Sequence, residues 1–298
     1  MTATNPSINT ASIAERAMLV NISFTLFGSP FKTDKKISKE VTDSKGMQAE
    51  RGKFQKEIIA KRALDSLNKF AASARTEHYR RTLPWADDGA RILSTAGYFE
   101  YAEFMRKTEA EWPSVVSAFL NAYESHIDES RAALGLAFDE SDYPTVSQLR
   151  RKLSFRWSVR PVPATADFRW NLSADEVNSI NDRITAQWQE TIRAGMNEVW
   201  TRLREVVGKM AERLRAYDPN NASAAPFRDS LVSNITELLE VVPSLNLTGD
   251  SAVEDFARRI RQDLTRFDAQ ALRDNMFTRE DVAQRAESIY NQMAAFIS

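Results

Sequence analysis

Residues 173–217, SADEVNSINDRITAQWQETIRAGMNEVWTRLREVVGKMAERLRAY, decide the fold of this chain. Ser173 stands three positions before Glu176, which is the spacing of a helix capping box. Apolar residues then recur about every 3.6 positions along one stripe: Val177, Ile180, Ile184, Trp188, Ile192, Met196, Val199, Leu203, Val206, Met210, Leu214 and Tyr217. At about 1.5 Å per residue this predicts one amphipathic helix of about 60 Å. A helix of that length must pack along partners in a bundle or meet another subunit.

The rest of the C-terminal half is also expected to be helical. Three shorter helices are predicted near residues 224–242, 251–268 and 278–297, with Ser251 and Thr278 as the caps of the last two. Glycine is scarce, at nine residues, which fits a mainly helical chain. We therefore predict two parts, an α+β region over residues 1–169 and a helical bundle over residues 170–298.

Two segments of the first half alternate apolar and polar residues with the period of a half-buried strand. The first contains Val20, Ile22, Phe24 and Leu26, and the second contains Leu153, Phe155, Trp157 and Val159. A turn at Gly28-Ser29-Pro30 and a weaker pattern at Ile37 and Val41 predict a hairpin over residues 18–43. Because an isolated strand must pair, the two clean strands are expected in one sheet. The predicted fold class is α+β, predominantly helical, with a small basic β-sheet region near the N-terminus followed by a long-helix bundle.

Helical periodicity fills most of the sequence between the two strands. One helix is expected from about Phe54 to the break at Leu83-Pro84-Trp85, and a second from Ile92 to Met105. A third is expected to begin after Trp112-Pro113, and a short one over residues 146–152.

Basic residues are concentrated in two regions. Nine of the 12 lysines lie between residues 32 and 69, and residues 32–81 carry 14 Lys and Arg against 7 Asp and Glu, a net charge of +7. Residues 146–169 carry a net charge of +5, whereas residues 82–145 carry −8 and the whole chain −1. Clustered positive charge attracts polyanions. If the two clean strands share one sheet, the two basic regions meet at one pole of the molecule.

These charges predict a nucleic-acid surface. The predicted binding residues are Lys32, Lys35, Lys36, Lys39, Lys45, Arg51, Lys53, Arg156 and Arg160. Phe31, Phe54, Arg156 and Trp157 could add stacking or phosphate contacts, although Phe155 and Trp157 lie on the apolar strand face and are expected in the core. The alternative is that the lysines form a solvated hairpin rim, since lysines also protect sheet edges from aggregation.

The sequence contains no complete catalytic motif, so we expect a non-enzymatic protein without cofactor or metal. His78 and His126 lack the spacing of a metal pair, and the acidic loop at residues 139–142 offers too few ligands and no glycine turn. Asp34 with Asp43-Ser44-Lys45 loosely resembles the acid-and-lysine pattern of restriction-type nucleases. The pair of strand-borne carboxylates that this pattern requires is not convincing. No glycine-rich phosphate loop occurs.

The chain is expected to be soluble and cytoplasmic in a bacterial host. It has no cysteine, which fits a reducing compartment. No stretch approaches the roughly 18 apolar residues of a membrane span.

Three segments are similar to a known bacterial and phage family, domain of unknown function family 3150. They are residues 18–46, residues 83–93 (LPWADDGARIL), and Tyr143-Pro144 leading into residues 153–163. The resemblance covers about residues 12–215 and implies a protein carried by phages, plasmids and integrative elements. Such genes often lie beside those of a MoxR-type AAA+ ATPase and a von Willebrand A protein. The resemblance carries no catalytic residues over to this chain.

The favoured function is a phage or mobile-element accessory protein that binds nucleic acid through its basic pole and self-associates, as a homo-oligomer, through its helices. The first alternative is a protein-interaction adaptor or inhibitor that acts on an AAA+ machine or a host factor through the acidic stretch or a helical face. The second is a self-assembling structural component.

Overall fold

The computed structural model is predominantly helical with a small antiparallel sheet that begins near the N-terminus, which confirms the predicted α+β class. It describes residues 13, 15–48, 51–86, 88–163, 173–219 and 227–297. These residues fall into two compact units. The lysine unit comprises the described residues of Ile22–His78 and Ala102–Ser158, and the helical unit those of Met1–Asn21, Tyr79–Tyr101 and Val159–Ser298. The predicted boundary between residues 169 and 170 lies outside the described residues.

The larger sheet has the strand order β4-β5-β1-β6. Its strands are β1 (Ala17–Thr25), β4 (Leu83–Pro84), β5 (Arg91–Ser94) and β6 (Ser154–Pro161). β5 pairs antiparallel with β1, from Ala17 opposite Ser94 to Val20 opposite Arg91, and it also pairs antiparallel with β4. β6 lies beside β1, so the two strands with clean alternation share one sheet, as predicted.

The hairpin predicted over residues 18–43 is wrong. β2 (Phe31–Asp34) pairs with β3 (Phe54–Glu57) in a separate two-stranded sheet, and helix α1 (Lys35–Ser44) follows β2 directly. The Asp34 side chain accepts hydrogen bonds from the backbone N–H groups of Lys36 and Ile37, at 3.0 Å each. Asp34 is therefore a helix N-cap that satisfies donors at the start of α1. The spacing of four between Ile37 and Val41 fits a helix as well as a strand.

The other helices of the first half are α2 (Asp65–Arg81), α3 (Tyr98–Leu134) and α4 (Val146–Lys152). α2 ends before the predicted break at Leu83, but it begins later than predicted, because β3 and a 3-10 turn (Lys61–Leu64) precede it. α4 is the short helix predicted before the second strand, and Thr145 with Gln148 forms its capping box.

α3 contradicts two of the predicted boundaries. The predicted helix from residue 92 begins as strand β5, and the helix expected after Trp112-Pro113 is continuous with the preceding one. A proline inside a helix removes a hydrogen bond and costs roughly 3 kcal/mol. Trp112 is buried beside Pro113, with its ring centroid 5.3 Å from that of Phe24 and 5.7 Å from that of Phe70. This aromatic packing offsets the cost of the proline.

The helical unit is built on the predicted long helix. α5 (Ala174–Ala216) is capped by Ser173, whose hydroxyl accepts from Glu176 N–H, as predicted. α5 packs against the helices that follow it: α6 (Ser230–Leu245), α7 (Ser251–Leu264) and α9 (Met276–Met293). Its buried side chains begin at Trp188 and continue to Leu214, so α5 buries this part of its stripe in a bundle, whereas Val177, Ile180 and Ile184 are only partly buried.

The shorter helices differ in number and caps from the prediction. A further helix, α8 (Ala269–Asp274), lies between α7 and α9. Asp250 and Asn275, rather than Ser251 and Thr278, cap α7 and α9 through their side chains. Asp and Asn are preferred at this position, and each stands before the residue that was predicted to cap. Among the described residues, no helix is both long and apolar enough to cross a membrane.

Candidate nucleic-acid interface

Helix α1 and the segment after it carry most of the predicted basic residues. Lys35, Lys36 and Lys39 lie on α1, Lys45 is its C-cap residue, and Lys53 precedes β3. We call these five residues the α1 lysines. All five are exposed, and among the described residues none of them forms an ion pair.

Some of the other exposed cations of the lysine unit are paired with carboxylates. Arg62 lies 2.9 Å from Glu129, and Lys69 lies 3.2 Å from Asp65. Such exposed pairs contribute little to stability, but each one cancels a local charge. The α1 lysines therefore keep their charge, as do other exposed cations of this unit for which no ion pair is found among the described residues: Arg51, Lys61, Arg106, Arg150, Arg151 and Arg156.

One face of α1 forms the wall of a cavity of about 710 Å³, which we call the α1 cavity. Its lining residues are Thr33, Lys35, Ser38, Lys39, Thr42, Asp43, Gly52 and Lys53. Five of these residues belong to α1, and their spacing of three and four places them on one face of the helix. The helix face that turns inward is normally apolar, whereas this face is polar. Three lysines against one aspartate give the lining a net charge of +2.

Hydrogen bonds hold the walls of the α1 cavity together. The Ser38 hydroxyl accepts from the backbone N–H of Phe54 at 2.9 Å and donates to the carbonyl of Asp34. The Thr42 hydroxyl donates to the Ser38 carbonyl at 2.6 Å. A Cβ at Gly52 would lie 3.3 Å from Thr42 Oγ1, so this segment lies close against α1. The hydroxyl protons of Ser38 and Thr42 are thus used within the wall, whereas the lysine ammonium groups and the Thr33 hydroxyl remain as side-chain donors for an anion.

A buried lysine fixes the start of α1. The Lys56 side chain is 4% exposed, and its ammonium group lies 3.1 Å from Asp34 Oδ2 and 2.8 Å from Asp142 Oδ2. It also donates to the carbonyl of Ala137 at 2.7 Å. Lys32 joins the other oxygen of Asp142 at 2.6 Å. We call Lys32, Asp34, Lys56 and Asp142 the Lys56 network.

The pKa values of Lys56 and Asp34 are both shifted in the direction that favours their charged forms. Burial by itself would lower the pKa of Lys56, but hydrogen bonds and charge from Asp142 and Asp34 outweigh it and raise that pKa. The pKa of Asp34 is lowered, first by the hydrogen bond from Ile37 N–H and then by Lys56. Sequence analysis did not distinguish Lys56 from the exposed lysines around it. Because side chains alternate along β3, Lys56 lies on the face opposite to that of Gln55 and Glu57, but nothing in the sequence reveals which acidic residues it contacts.

The predicted basic residues lie on several different elements. The α1 lysines lie on a helix and a connecting segment, and Lys32 lies in the two-stranded sheet, whereas Arg156 lies on β6 of the larger sheet. Arg160 belongs to the helical unit and lies 3.7 Å from Asp88. Arg51 is exposed in the segment before Lys53. The structure therefore gathers Lys35, Lys39 and Lys53 around one cavity, and Arg156 of the same unit is not among the described residues that line it.

The predicted stacking aromatics lie on different surfaces. Alternate residues of a strand lie on the same face, so Phe31 and Thr33 of β2 lie on one face of the two-stranded sheet and Asp34 lies on the other. Phe54 is paired with Asp34, and because paired residues share a face, Phe54 also lies on that other face. Phe31 is 37% exposed, and the Lys61 ammonium group lies 5.1 Å from its ring centroid. Phe155 is buried, as predicted, and Trp157 is half-buried, with its indole N–H donating to Glu109.

The described residues do not assemble a metal site. No group of three or more Asp, Glu or His side chains among them is arranged to hold a metal ion. Asp34 is used in the α1 cap and the Lys56 network, and Asp43 lines the α1 cavity near the other end of the helix. His78 is buried, and the His126 ring stacks on Phe119 with centroids 6.5 Å apart.

Comparison with known proteins adds no relative: no protein-family model matches the chain, and no curated protein or solved structure is similar to it. The resemblance to domain of unknown function family 3150 therefore stays a prediction.

Proposed function

We propose that the protein binds nucleic acid through the α1 lysines. The observation that carries this proposal is a group of five exposed lysines without ion pairs among the described residues. DNA and RNA present a phosphate charge at every nucleotide, and lysines that neutralise these charges release condensed counterions. The net charge of the whole chain is only −1, so attraction to a polyanion depends on local groups of basic residues such as this one.

The protective role of lysines at sheet edges does not account for this group. Lys35, Lys36 and Lys39 lie on a helix, where there is no strand edge to protect. Like charges on neighbouring turns of one helix also repel and weaken it. A polyanion that relieves this repulsion gives the cluster a function.

The salt dependence of binding tests the proposal. We expect the wild type to bind a fluorescent DNA with an affinity that falls linearly with the logarithm of salt concentration. In Lys35→Glu/Lys36→Glu/Lys39→Glu the slope should become shallower by about 2 to 3, if each lysine contacts one phosphate. Fluorescence anisotropy over a series of salt concentrations measures both quantities.

A matched control reverses three exposed arginines of the helical unit, in Arg193→Glu/Arg213→Glu/Arg258→Glu. It changes the net charge by the same amount and is expected to keep most of the affinity and the slope. Equal losses in the two triple variants would mean that net charge governs binding and would refute a site at α1. Co-purification of a stoichiometric protein without nucleic acid would favour the adaptor function.

The wider biological role stays a prediction. The family resemblance implies a mobile-element accessory protein with an AAA+ ATPase or von Willebrand A protein as partner, and the long amphipathic helix predicts self-association. Native purification that reports particle mass together with the ratio of nucleic-acid to protein absorbance tests these predictions at once.

A further inference from the structure

We infer that the α1 cavity is a site for one nucleotide of a single strand, whose phosphate is held by Lys35, Lys39 and Lys53. This inference rests on the proposed function and adds to it a preference for single strands over duplexes. It also separates the α1 lysines into three that line the cavity and two, Lys36 and Lys45, that do not.

The charge of the cavity fits a phosphate. Lys35 and Lys39 stand one helical turn apart on α1, and Lys53 belongs to the segment before β3 that also lines the cavity. The lining therefore takes its lysines from two elements. Among the described lining residues Asp43 is the acidic one, which leaves a net charge of +2.

The size of the cavity selects the form of the nucleic acid. Its volume of about 710 Å³ lies within the range of roughly 300–1,000 Å³ that holds small ligands. In a duplex the bases are paired and stacked inside, so that only the backbone reaches a concave surface. A nucleotide of a single strand can be splayed out and inserted.

A partly exposed aromatic side chain, two residues before Thr33 on β2, offers a ring on which a base of the bound strand could stack. Phe31 is on the same face of β2 as Thr33, which lines the cavity, and about 7 Å from it along the strand. Its ring is partly exposed and carries the Lys61 ammonium group over one side. Stacking on aromatic rings accepts every base, so the site is expected to tolerate any sequence. Phe54 has similar exposure but lies on the opposite face.

The cavity is held in shape before a ligand arrives. The hydrogen bond from Phe54 N–H to Ser38 ties the segment with Gly52 and Lys53 to α1. The Lys56 network fixes the first turn of α1 through Asp34. Little ordering of the main chain is then needed on binding, which favours affinity.

Two pairs of variants test the inference with fluorescein-labelled dT20 and a duplex of the same length. Lys39→Gln/Lys53→Gln and Lys36→Gln/Lys45→Gln each remove two exposed lysines without ion pairs, and only the first pair lines the cavity. We expect wild-type affinity to be at least tenfold higher for dT20. The cavity pair should lose this preference, whereas the outer pair should weaken both ligands to a similar, smaller extent. Far-ultraviolet circular dichroism checks that every variant is folded.

A second matched pair of variants tests the stacking of a base on Phe31. Phe31→Ala is expected to weaken dT20 binding about 5- to 150-fold, which corresponds to the loss of one stacked base, and to leave duplex binding almost unchanged. Phe54→Ala should change dT20 binding much less.

The outcomes separate this inference from the proposed function. Binding of the duplex as tightly as dT20, or equal losses in the two lysine pairs, would overturn the inference and leave the proposed function standing. Failure of the wild type to bind either ligand in a salt-sensitive manner would overturn both.

Discussion

Replacing Lys56 with Met is expected to destabilise the lysine unit by about 3–5 kcal/mol, the usual effect of removing one partner from a buried ion pair. The Lys56 ammonium group has three acceptors, at 2.8 Å in Asp142, 3.1 Å in Asp34 and 2.7 Å at the Ala137 carbonyl. Methionine keeps an unbranched apolar stem, so that the substitution removes charge and hydrogen bonds more than packing. Asp142, whose side chain is 6% exposed, would keep Lys32 as its cation.

Lys69→Met in the same unit is the matched control. Lys69 is 79% exposed and lies 3.2 Å from Asp65, so its loss should change stability by less than about 0.5 kcal/mol. Because a chain with two compact units can unfold in more than one step, a single melting curve is not sufficient. Native-state hydrogen exchange, read by mass spectrometry for the peptides of α1 and β3, gives the local free energy of opening.

The distribution of the lost stability along the chain is as informative as the size of the loss. In Lys56→Met, exchange should accelerate in α1, in β3 and around Ala137, because Lys56 connects these segments. The effects of Lys56→Met and Asp142→Asn should not add, since both remove the same ion pair. If Lys56→Met were as mild as Lys69→Met, or if the two effects were additive, the Lys56 network would not hold α1 and this reasoning would be refuted.

Two further predictions concern α1 and α5. The pKa of Asp34 is lower in the folded protein than in the unfolded chain. Its contribution to stability is therefore complete at pH values above the pKa of a carboxyl group in the unfolded chain, and it is lost as the pH falls through the pKa in the folded protein. Protection of the α1 amides from exchange should therefore fall below about pH 4, and this dependence should disappear in Asp34→Asn, which keeps a capping oxygen. On α5, Gly208→Ala should destabilise by about 1–2 kcal/mol in thermal denaturation, because its Cβ would lie 2.7 Å from the Tyr290 ring. Gly195→Ala, whose Cβ would lie 3.5 Å from Leu83 Cδ1, should instead stabilise by about 0.5–1 kcal/mol.

The parts of the fold with a long, uniform period could be predicted from the sequence. The apolar stripe of α5 continues for some forty residues, and over that length only the helical period fits. The alternation in β1 and β6 was equally clear, and pairing them followed from the need of each strand for a neighbour. In each case the signal is repeated many times within one segment.

The candidate site could be predicted only in part, because its signals are short or distant in sequence. Ile37 and Val41 fit two periods, and the choice of helix depends on the cap that Asp34 forms. A sequence pattern also cannot distinguish Lys56, which is buried, from Lys53, which is exposed three residues earlier. That difference arises from Asp142, far along the chain, and it decides which lysines remain for a ligand.

Helix α1 has little apolar burial to hold it in place. Thr42 is its only buried residue, so hydrophobic packing contributes little to its position. Its position depends on the Asp34 cap, the Lys56 network and the hydrogen bond from Phe54 N–H to Ser38. The α1 lysines oppose this arrangement through their mutual repulsion.

Stability and binding at α1 should therefore respond to different residues. Substitutions in the Lys56 network lower stability first and weaken binding only because the cavity loses its shape. Substitutions of Lys39 or Lys53 remove charge from an exposed surface, so they weaken binding while easing the repulsion within α1. A strand bound at the α1 cavity adds the opposite charge to the same helix and should increase its protection from hydrogen exchange. This increase should be present in the wild type and absent in Lys39→Gln/Lys53→Gln, although the free variant should be at least as well protected as the free wild type.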